Sequence, residues 1–168
     1  MNLLLIRHAI AEEQSAKQWP DDADRPLTQR GIRRFRTAAL GLGTLVPEVD
    51  RLTSSPFVRA HQTATILEDQ LGWPEIELHP QLAAGAPLAG AIALLAECEP
   101  RATVVVVGHE PTMSLLASAY IGGTASQLTF DWRRGGAALI EFERAPAANG
   151  GALRWFLPPR LLRTLAAD

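Results

Sequence analysis

The sequence contains a single cysteine, Cys98, among its 168 residues. One thiol cannot form an internal disulfide, which excludes a small disulfide-stapled scaffold and favours a reducing cytoplasm over secretion. Long apolar runs are also missing, since no stretch approaches the roughly 20 residues that a membrane-spanning helix needs. The first apolar run stops at Arg7 without a cleavage site after it, which is not typical of a signal peptide. We therefore expect a cytoplasmic protein without a membrane partner.

The sequence also lacks an excess of either charge. It has 16 basic and 18 acidic residues, giving a net charge of −2 and a pI near 6.1. This balance argues against a surface built to hold nucleic acid or anionic lipid. Repeats of 20–50 residues and low-complexity linkers are absent as well. The length predicts one domain covering residues 1–168, and nothing in the sequence requires more than a monomer.

Short apolar runs alternate with amphipathic segments along the chain. Runs at 3–6, 51–53 and 103–107 are typical of buried strands. Helical periodicity predicts four helices, namely one from Thr28 to the glycines at 41 and 43, one from the cap signal Ser54-Ser55-Pro56 to Gly72, one over 88–97 and one over 111–120. Residues 137–143 and 153–157 predict an antiparallel pair. The fold class is α/β, a three-layer α/β/α sandwich with a mostly parallel central sheet and an antiparallel C-terminal edge.

Four basic side chains fall where predicted strands end or helices begin. Arg7 and His8 follow the first strand, Arg59 lies in the first turn of the second helix, and His109 follows the valine-rich strand. Ligands of open α/β sheets collect at the carboxyl edge, so these residues can converge on one point. A cation in a first helical turn opposes the helix dipole, and a bound phosphate would offset that penalty at Arg59.

Four motifs carry a resemblance to a known family. They are "LLLIRHA", "RPLTQRG", "LTSSPFVRAHQTATIL" and "VVVVGHEPTMSLLASAYIGG". Together they resemble the histidine phosphatase superfamily, which has the phosphoglycerate-mutase-like fold, and they cover nearly the whole chain. The short length, "RPLT" and the "GHEP" form are most similar to SixA-type phosphohistidine phosphatases.

The resemblance implies a role for each basic residue. His8 matches the nucleophile that attacks phosphorus and is transiently phosphorylated, and a neutral imidazole suits that role near pH 7. Arg7, Arg59 and His109 match the phosphate pocket, where charge on the transferred group is stabilised. Arg25 is a further candidate for phosphate binding, although Thr28 and Gly31 also explain its segment as a helix start. No metal or other cofactor is expected, because these cationic groups replace one.

A general acid that is common in the superfamily is missing from this sequence. Many members of the superfamily carry an acid after the third strand to protonate an alkoxide, whereas the matching stretch here, "HPQLAAGAPLAG", has no carboxylate. Imidazole is a far less basic leaving group, so the gap favours a phosphohistidine substrate. Glu110 is the fallback acid; alternatively it orients the neighbouring arginines or faces water.

Several hypotheses about the function remain open from the sequence alone. The leading one is a phosphatase for a phosphohistidine-bearing protein domain; the others are a phosphatase for a small phosphorylated molecule or aryl phosphomonoester, and a non-catalytic phosphate-binding module. The acidic segment 12–24 is either a solvated loop or a mobile flap over the first strand. Arginines on the first helix, at 30, 33, 34 and 36, form either a solvated face or a docking patch for an acidic partner. His61 and His79 are expected to be structural or solvated.

Overall fold

The computed structural model describes residues 1–125 and 128–166. Within these ranges the helices and strands follow in the order β1 (Asn2–Arg7), α1 (Gln29–Leu45), β2 (Arg51–Ser54), α2 (Val58–Leu71), β3 (Ile76–Leu78), α3 (Leu88–Ala96), β4 (Thr103–Gly108), α4 (Thr112–Gly122), β5 (Ala137–Phe142), β6 (Gly151–Leu157) and α5 (Pro159–Leu165). Two 3₁₀ turns, Asp22–Asp24 and Pro80–Leu82, lie between them. No helix in the described residues is long and apolar enough to cross a membrane.

The six strands form one sheet in the order β3-β2-β4-β1-β5-β6. The first four strands of that order are parallel, and β5 runs antiparallel to β1 and to β6. This arrangement confirms the α/β class, with a largely parallel centre and an antiparallel C-terminal edge. Its central pair matters most for function, because Arg7 on β1 is in register with Gly108 on β4. The residues that follow, His8 and His109, therefore emerge side by side.

Alternate residues of β1 serve two different cores. Leu4 and Ile6 pack in a cluster with residues of α1, α2 and α5, whereas Leu3 and Leu5 pack in a cluster with residues of α3 and α4. All four side chains are fully buried. A strand covered on both faces has no solvent-facing positions to fill with polar residues. This explains the unbroken apolar run that ends at Arg7.

The predicted end of α1 at its glycines is wrong. The helix continues through Gly41 and Gly43 to Leu45. A Cβ at position 41 would lie 1.9 Å from the carbonyl oxygen of Leu162 in α5, a helix that the sequence patterns did not predict. The glycine therefore permits a close helix crossing rather than ending the helix.

The predicted cap of α2 is also wrong. The helix begins at Val58, with Phe57 at the N-cap position and no side-chain cap, so Pro56 lies outside it. The hydroxyl of Ser55 instead accepts a hydrogen bond from the Phe57 amide at 3.2 Å and contacts His109. Arg59 still lies in the first turn, as predicted. The three-residue strand β3 was not among the predicted strands, because its residues are only half-buried or exposed.

Candidate active site

The imidazole rings of His8 and His109 form the centre of the site. Their centroids are 5.1 Å apart, with the planes inclined at 56°. The pairing of β1 with β4 brings them together, and the His8 amide donates to the Gly108 carbonyl at 2.9 Å. Both residues are almost fully buried, at 6% and 2% exposure. Two residues separated by a hundred positions in sequence thus lie side by side at the carboxyl edge, as predicted.

The hydrogen bond at Nδ1 fixes the tautomer of His8. Nδ1 lies 2.7 Å from the carbonyl oxygen of Ala9. A carbonyl can only accept, so Nδ1 carries the proton and Nε2 keeps its lone pair. Burial, followed by the neighbouring His109, lowers the pKa of His8 to about 2. The ring is therefore neutral, with Nε2 available as a nucleophile, throughout the physiological range.

Only one of the two ring nitrogens of His109 has a hydrogen-bond partner among the described residues. Its Nε2 lies 2.8 Å from the hydroxyl of Ser55, and its ring packs against Phe57 with centroids 5.3 Å apart. Burial, followed by the charge of Arg59, lowers its pKa to about 3. His109 was predicted from the sequence to be a cation, but in this ligand-free site its ring is neutral at pH 7. A phosphate dianion beside it would favour the protonated form.

The guanidinium groups of Arg7 and Arg59 are both anchored by backbone carbonyls. Arg7 Nη1 donates to Trp132 O at 2.5 Å, and Arg59 Nη1 donates to Asp22 O at 2.7 Å. Burial lowers the pKa of each guanidinium, although both remain charged. Near Arg59, the ring of Phe57 lies 5.0 Å from Cζ. The two cations are thus fixed in place before any ligand arrives.

Three buried nitrogen atoms of this site have no hydrogen-bond partner within the described residues. They are Nε of Arg7, Nε of Arg59 and Nδ1 of His109. Each Nε–H can only donate, and a buried donor without a partner costs about 1–3 kcal/mol. An oxyanion would accept from all of them. The arrangement is therefore that of a ready-made phosphate pocket beside the free Nε2 of His8.

Asp22 is the site residue that sequence reasoning missed. Its carboxylate accepts from Arg59 Nη2 at 2.9 Å and from Arg25 Nε at 2.7 Å. Arg25 also donates through Nη1 to Glu12 O at 2.8 Å. The end of the acidic segment 12–24 thus lies against the phosphate pocket, with Arg25 behind Asp22. The only signal in the sequence was an aspartate three residues before Arg25, within a run of acids.

The carboxylate of Glu110 faces the first turn of α4. It accepts from the Ser114 hydroxyl at 2.6 Å and from the Ser114 amide at 3.2 Å. Its charge also raises the pKa of Arg7, against the larger effect of burial. The structure therefore places Glu110 where it can orient the basic groups. Of the other histidines, His61 is exposed and His79 lies 3.4 Å from Glu77, as expected for residues outside the site.

Neutralising Asp22 is expected to strengthen anion binding. Asp22→Asn removes a negative charge that competes with a phosphate for the terminal nitrogens of Arg59. We expect inorganic phosphate to inhibit the variant about five- to tenfold more tightly, as measured by its inhibition constant. Asp24→Asn, which removes an exposed acid from the same turn, is the matched control. Unchanged or weaker inhibition of Asp22→Asn would show that Asp22 positions Arg59 instead.

The buried histidines predict a loss of stability in acid. Their pKa values in the folded protein, about 2 for His8 and about 3 for His109, lie below the unfolded value near 6.5. Above pH 6.5 neither state is protonated; as the pH falls below it, the unfolded chain binds protons that the folded chain cannot. Each histidine therefore lowers the free energy of unfolding by roughly 2 kcal/mol between pH 7 and pH 5.

Urea unfolding at pH 7 and pH 5 measures this effect. His8→Asn should lose about half of the histidine contribution, so its stability falls less steeply with pH than that of the wild type. The lowered pKa of Asp22 affects stability only below pH 4, outside this window. Parallel curves for wild type and variant would contradict the assignment of His8 as a buried neutral group.

Comparison with known proteins identifies the family. Residues 3–84 match the model of the histidine phosphatase superfamily (branch 1). Phosphohistidine phosphatase SixA of Escherichia coli is 31% identical over 126 residues, covering 73% of this chain and 76% of SixA. The chain belongs to the histidine phosphatase superfamily. Membership, with SixA among its relatives, makes it a phosphatase and confirms the resemblance read from the motifs.

Two further relatives extend the comparison beyond the matched range. An uncharacterised protein of Picosynechococcus is 36% identical over 129 residues, covering 73% of this chain and 74% of that protein. The structure of the histidine phosphatase SixA complexed with tungstate superposes with a TM-score of 0.80 at 28% identity, covering 96% of this chain and 99% of that one. This superposition includes β4 and α4, and it confirms the phosphoglycerate-mutase-like fold of the superfamily.

Proposed function

We propose that this phosphatase hydrolyses phosphohistidine in proteins through a covalent intermediate on His8. The observation that carries the proposal is the free Nε2 of His8 beside Arg7, Arg59 and His109. The carboxylates near the site already accept hydrogen bonds from other side chains. In the proposal the pocket needs no metal, and the protein acts in the cytoplasm as one domain.

The first step is an exchange between two imidazoles. Nε2 of His8 attacks phosphorus, forming a new N–P bond while the N–P bond of the substrate breaks. The substrate ring, protonated at its other nitrogen, leaves as neutral imidazole, and His8 becomes a phosphoimidazolium that keeps its Nδ1 proton. Ala9 O holds that proton at 2.7 Å. No proton needs to move, because the attacking and leaving groups are chemically alike.

The second step returns His8 to its starting state. Water attacks phosphorus, the N–P bond to His8 breaks, and dihydrogen phosphate leaves with both hydrogens of the water. Through both steps Arg7 and Arg59 hold the equatorial oxygens in place, and their unpaired Nε–H groups point to this role. His109 donates through Nδ1, while its Nε2 is hydrogen-bonded to Ser55.

The carboxylates near the site favour an imidazole over an alkoxide as the leaving group. Asp22 is held ionised, because hydrogen bonds from Arg25 and the charge of Arg59 lower its pKa. Glu110 accepts two hydrogen bonds from Ser114. Neither is set up to donate a proton to an alkoxide leaving group, which hydrolysis of an alkyl phosphomonoester would require. The stretch "HPQLAAGAPLAG" supplies no other acid.

The relatives support the same substrate class. The Escherichia coli protein is named a phosphohistidine phosphatase, and a SixA structure contains tungstate, a tetrahedral oxyanion like phosphate. Such an oxyanion is the kind of ligand that the unpaired donors of Arg7, Arg59 and His109 would bind.

A substrate panel tests the proposal. The purified chain is offered a phosphotransfer domain phosphorylated on histidine, phosphoserine and para-nitrophenyl phosphate, with release of inorganic phosphate as the readout. We expect kcat/KM for the phosphohistidine domain to exceed that for either monoester by at least about 10²-fold. A preference for the monoesters would overturn the substrate assignment while leaving the chain a phosphatase.

A further inference from the structure

An arginine-lined groove of about 560 Å³ opens beside the active site. Its guanidinium groups come from four separate parts of the chain, namely β1, α1, the loop before β5, and α5. The basic lining residues are Arg7, Arg34, Arg133, Arg134, Arg160 and Arg163. Asp131 is the one acidic residue among those lining it. We call this feature the arginine groove.

The arginine groove is strongly basic, although the protein as a whole has a small negative net charge. The whole chain has a net charge of −2, yet six guanidinium groups here face one carboxylate. Asp131 is paired with Arg133 at 2.7 Å and also acts on Arg7, but one carboxylate cannot neutralise six guanidinium groups. Arg163 Nη1 bonds only the carbonyl of Pro159, at 3.1 Å, within the described residues. Like charges gathered without partners oppose folding, which suggests that they serve a ligand.

Neighbouring arginines disturb one another in this groove. The pKa of Arg163 is lowered, first by burial and then by the charges of Arg34 and Arg160. Because Arg34 of α1 and Arg163 of α5 line the same groove, both can contact a single ligand. The contact at Gly41 holds these two helices together.

The arginine groove adjoins the phosphate pocket at Arg7. Arg7 belongs to both, because it lines the groove and its unpaired Nε lies buried beside the reacting histidines. Arg134 lines the groove and its charge lowers the pKa of both Arg7 and Arg59. A ligand whose phosphoryl group reaches His8 would therefore extend along these arginines.

We propose that the arginine groove binds an acidic segment of the phosphorylated protein, next to the residue that enters the active site. This inference rests on the proposed function, since it assumes a protein substrate. Arg34, Arg133, Arg134 and Arg160 are exposed and spread along the groove. Such an arrangement fits several carboxylates on an extended chain, whereas a second small anion would need donors that converge on one point.

Peptide binding tests the groove without using catalysis. The probe is a fluorescein-labelled peptide of ten glutamates, followed by fluorescence anisotropy at low salt, with a peptide of ten serines as reference. Arg34→Glu/Arg160→Glu reverses two exposed groove charges. Arg36→Glu/Arg101→Glu is the matched control, because it changes the net charge equally at exposed positions outside the groove.

We expect the groove variant to bind the glutamate peptide at least about tenfold more weakly than wild type, and the control variant within about twofold of it. Absence of binding to the wild type, or equal loss in both variants, would overturn the proposal. Groove-dependent binding of inositol hexakisphosphate without binding of the peptide would overturn it in favour of a small polyanion.

Kinetics with two substrates separates this inference from the proposed function. The groove variant should show a KM raised about tenfold for a phosphohistidine domain that carries acidic residues beside its histidine, with kcat unchanged. Its turnover of para-nitrophenyl phosphate should stay within about twofold of wild type. An unchanged KM for the domain would contradict the groove while leaving the substrate class intact; absence of turnover of the domain by the wild type would contradict the proposed function itself.

Discussion

Replacing His8 with alanine is expected to lower kcat at least about 10⁴-fold for every phosphorylated substrate. The reason is chemical, because among the described residues no other group beside the phosphate pocket offers a neutral nitrogen with a free lone pair. His109 is close, at 5.1 Å between ring centroids, but its Nε2 is engaged with Ser55. Steady-state release of inorganic phosphate measures the loss.

Trapping the intermediate gives the same prediction a positive readout. Wild-type enzyme quenched during turnover with ³²P-labelled substrate should carry a label that is labile in acid and stable in alkali, as expected for a phosphoimidazole. His8→Ala should carry none. His61→Ala, which removes the exposed histidine of α2, is the matched control and should label normally. Labelling of His8→Ala at wild-type levels would show that another residue is the nucleophile.

Arg59→Ala is expected to lower kcat/KM by about 10²–10³-fold. Arg59 is 3% exposed, and its guanidinium is held by the carboxylate and carbonyl of Asp22, so it contributes a fixed charge in a buried site. Arg59→Lys keeps the charge but loses the planar fork, and it should recover only part of the activity. Kinetics with one phosphohistidine substrate compares the three proteins.

The exposed Arg101, which precedes β4 at the end of the strand opposite His109, provides the control for Arg59. Arg101→Ala should leave kcat/KM within about twofold of wild type. Because Arg59→Ala leaves Asp22 without one of its partners, a urea unfolding curve should accompany the kinetics. A folded Arg59→Ala protein with turnover within a few-fold of wild type would remove Arg59 from the phosphate pocket.

The residues at the centre of this site could be predicted because the ends of buried strands can be recognised in the sequence. A doubly covered strand is apolar without a break, so "LLLI" and "VVVV" mark where β1 and β4 lie and where they stop. The polar residues that follow such runs must reach the carboxyl edge. The pairing of His8 with His109 depends only on β1 and β4 being neighbours in register, which is what the structure contains.

Contacts that depend on tertiary packing were beyond sequence reasoning. The glycines of α1 look like a helix end, but Gly41 serves the approach of α5, which is not apparent from either segment alone. Ser55 has the composition of a helix cap, yet its hydroxyl contacts His109 across 54 residues. Asp22 was hidden for the same reason, since its partner Arg59 lies 37 positions away.

The close crossing at Gly41 constrains future engineering of this protein. On an isolated helix, Gly41→Ala would add stability, because alanine favours helix by about 1 kcal/mol over glycine. Here the added methyl would meet the carbonyl oxygen of Leu162 at 1.9 Å, so the two helices would have to separate. Arg160 and Arg163 lie on α5, the helix that would move. A substitution chosen to raise thermal tolerance at a buried position would thus displace arginines at a surface that it never touches.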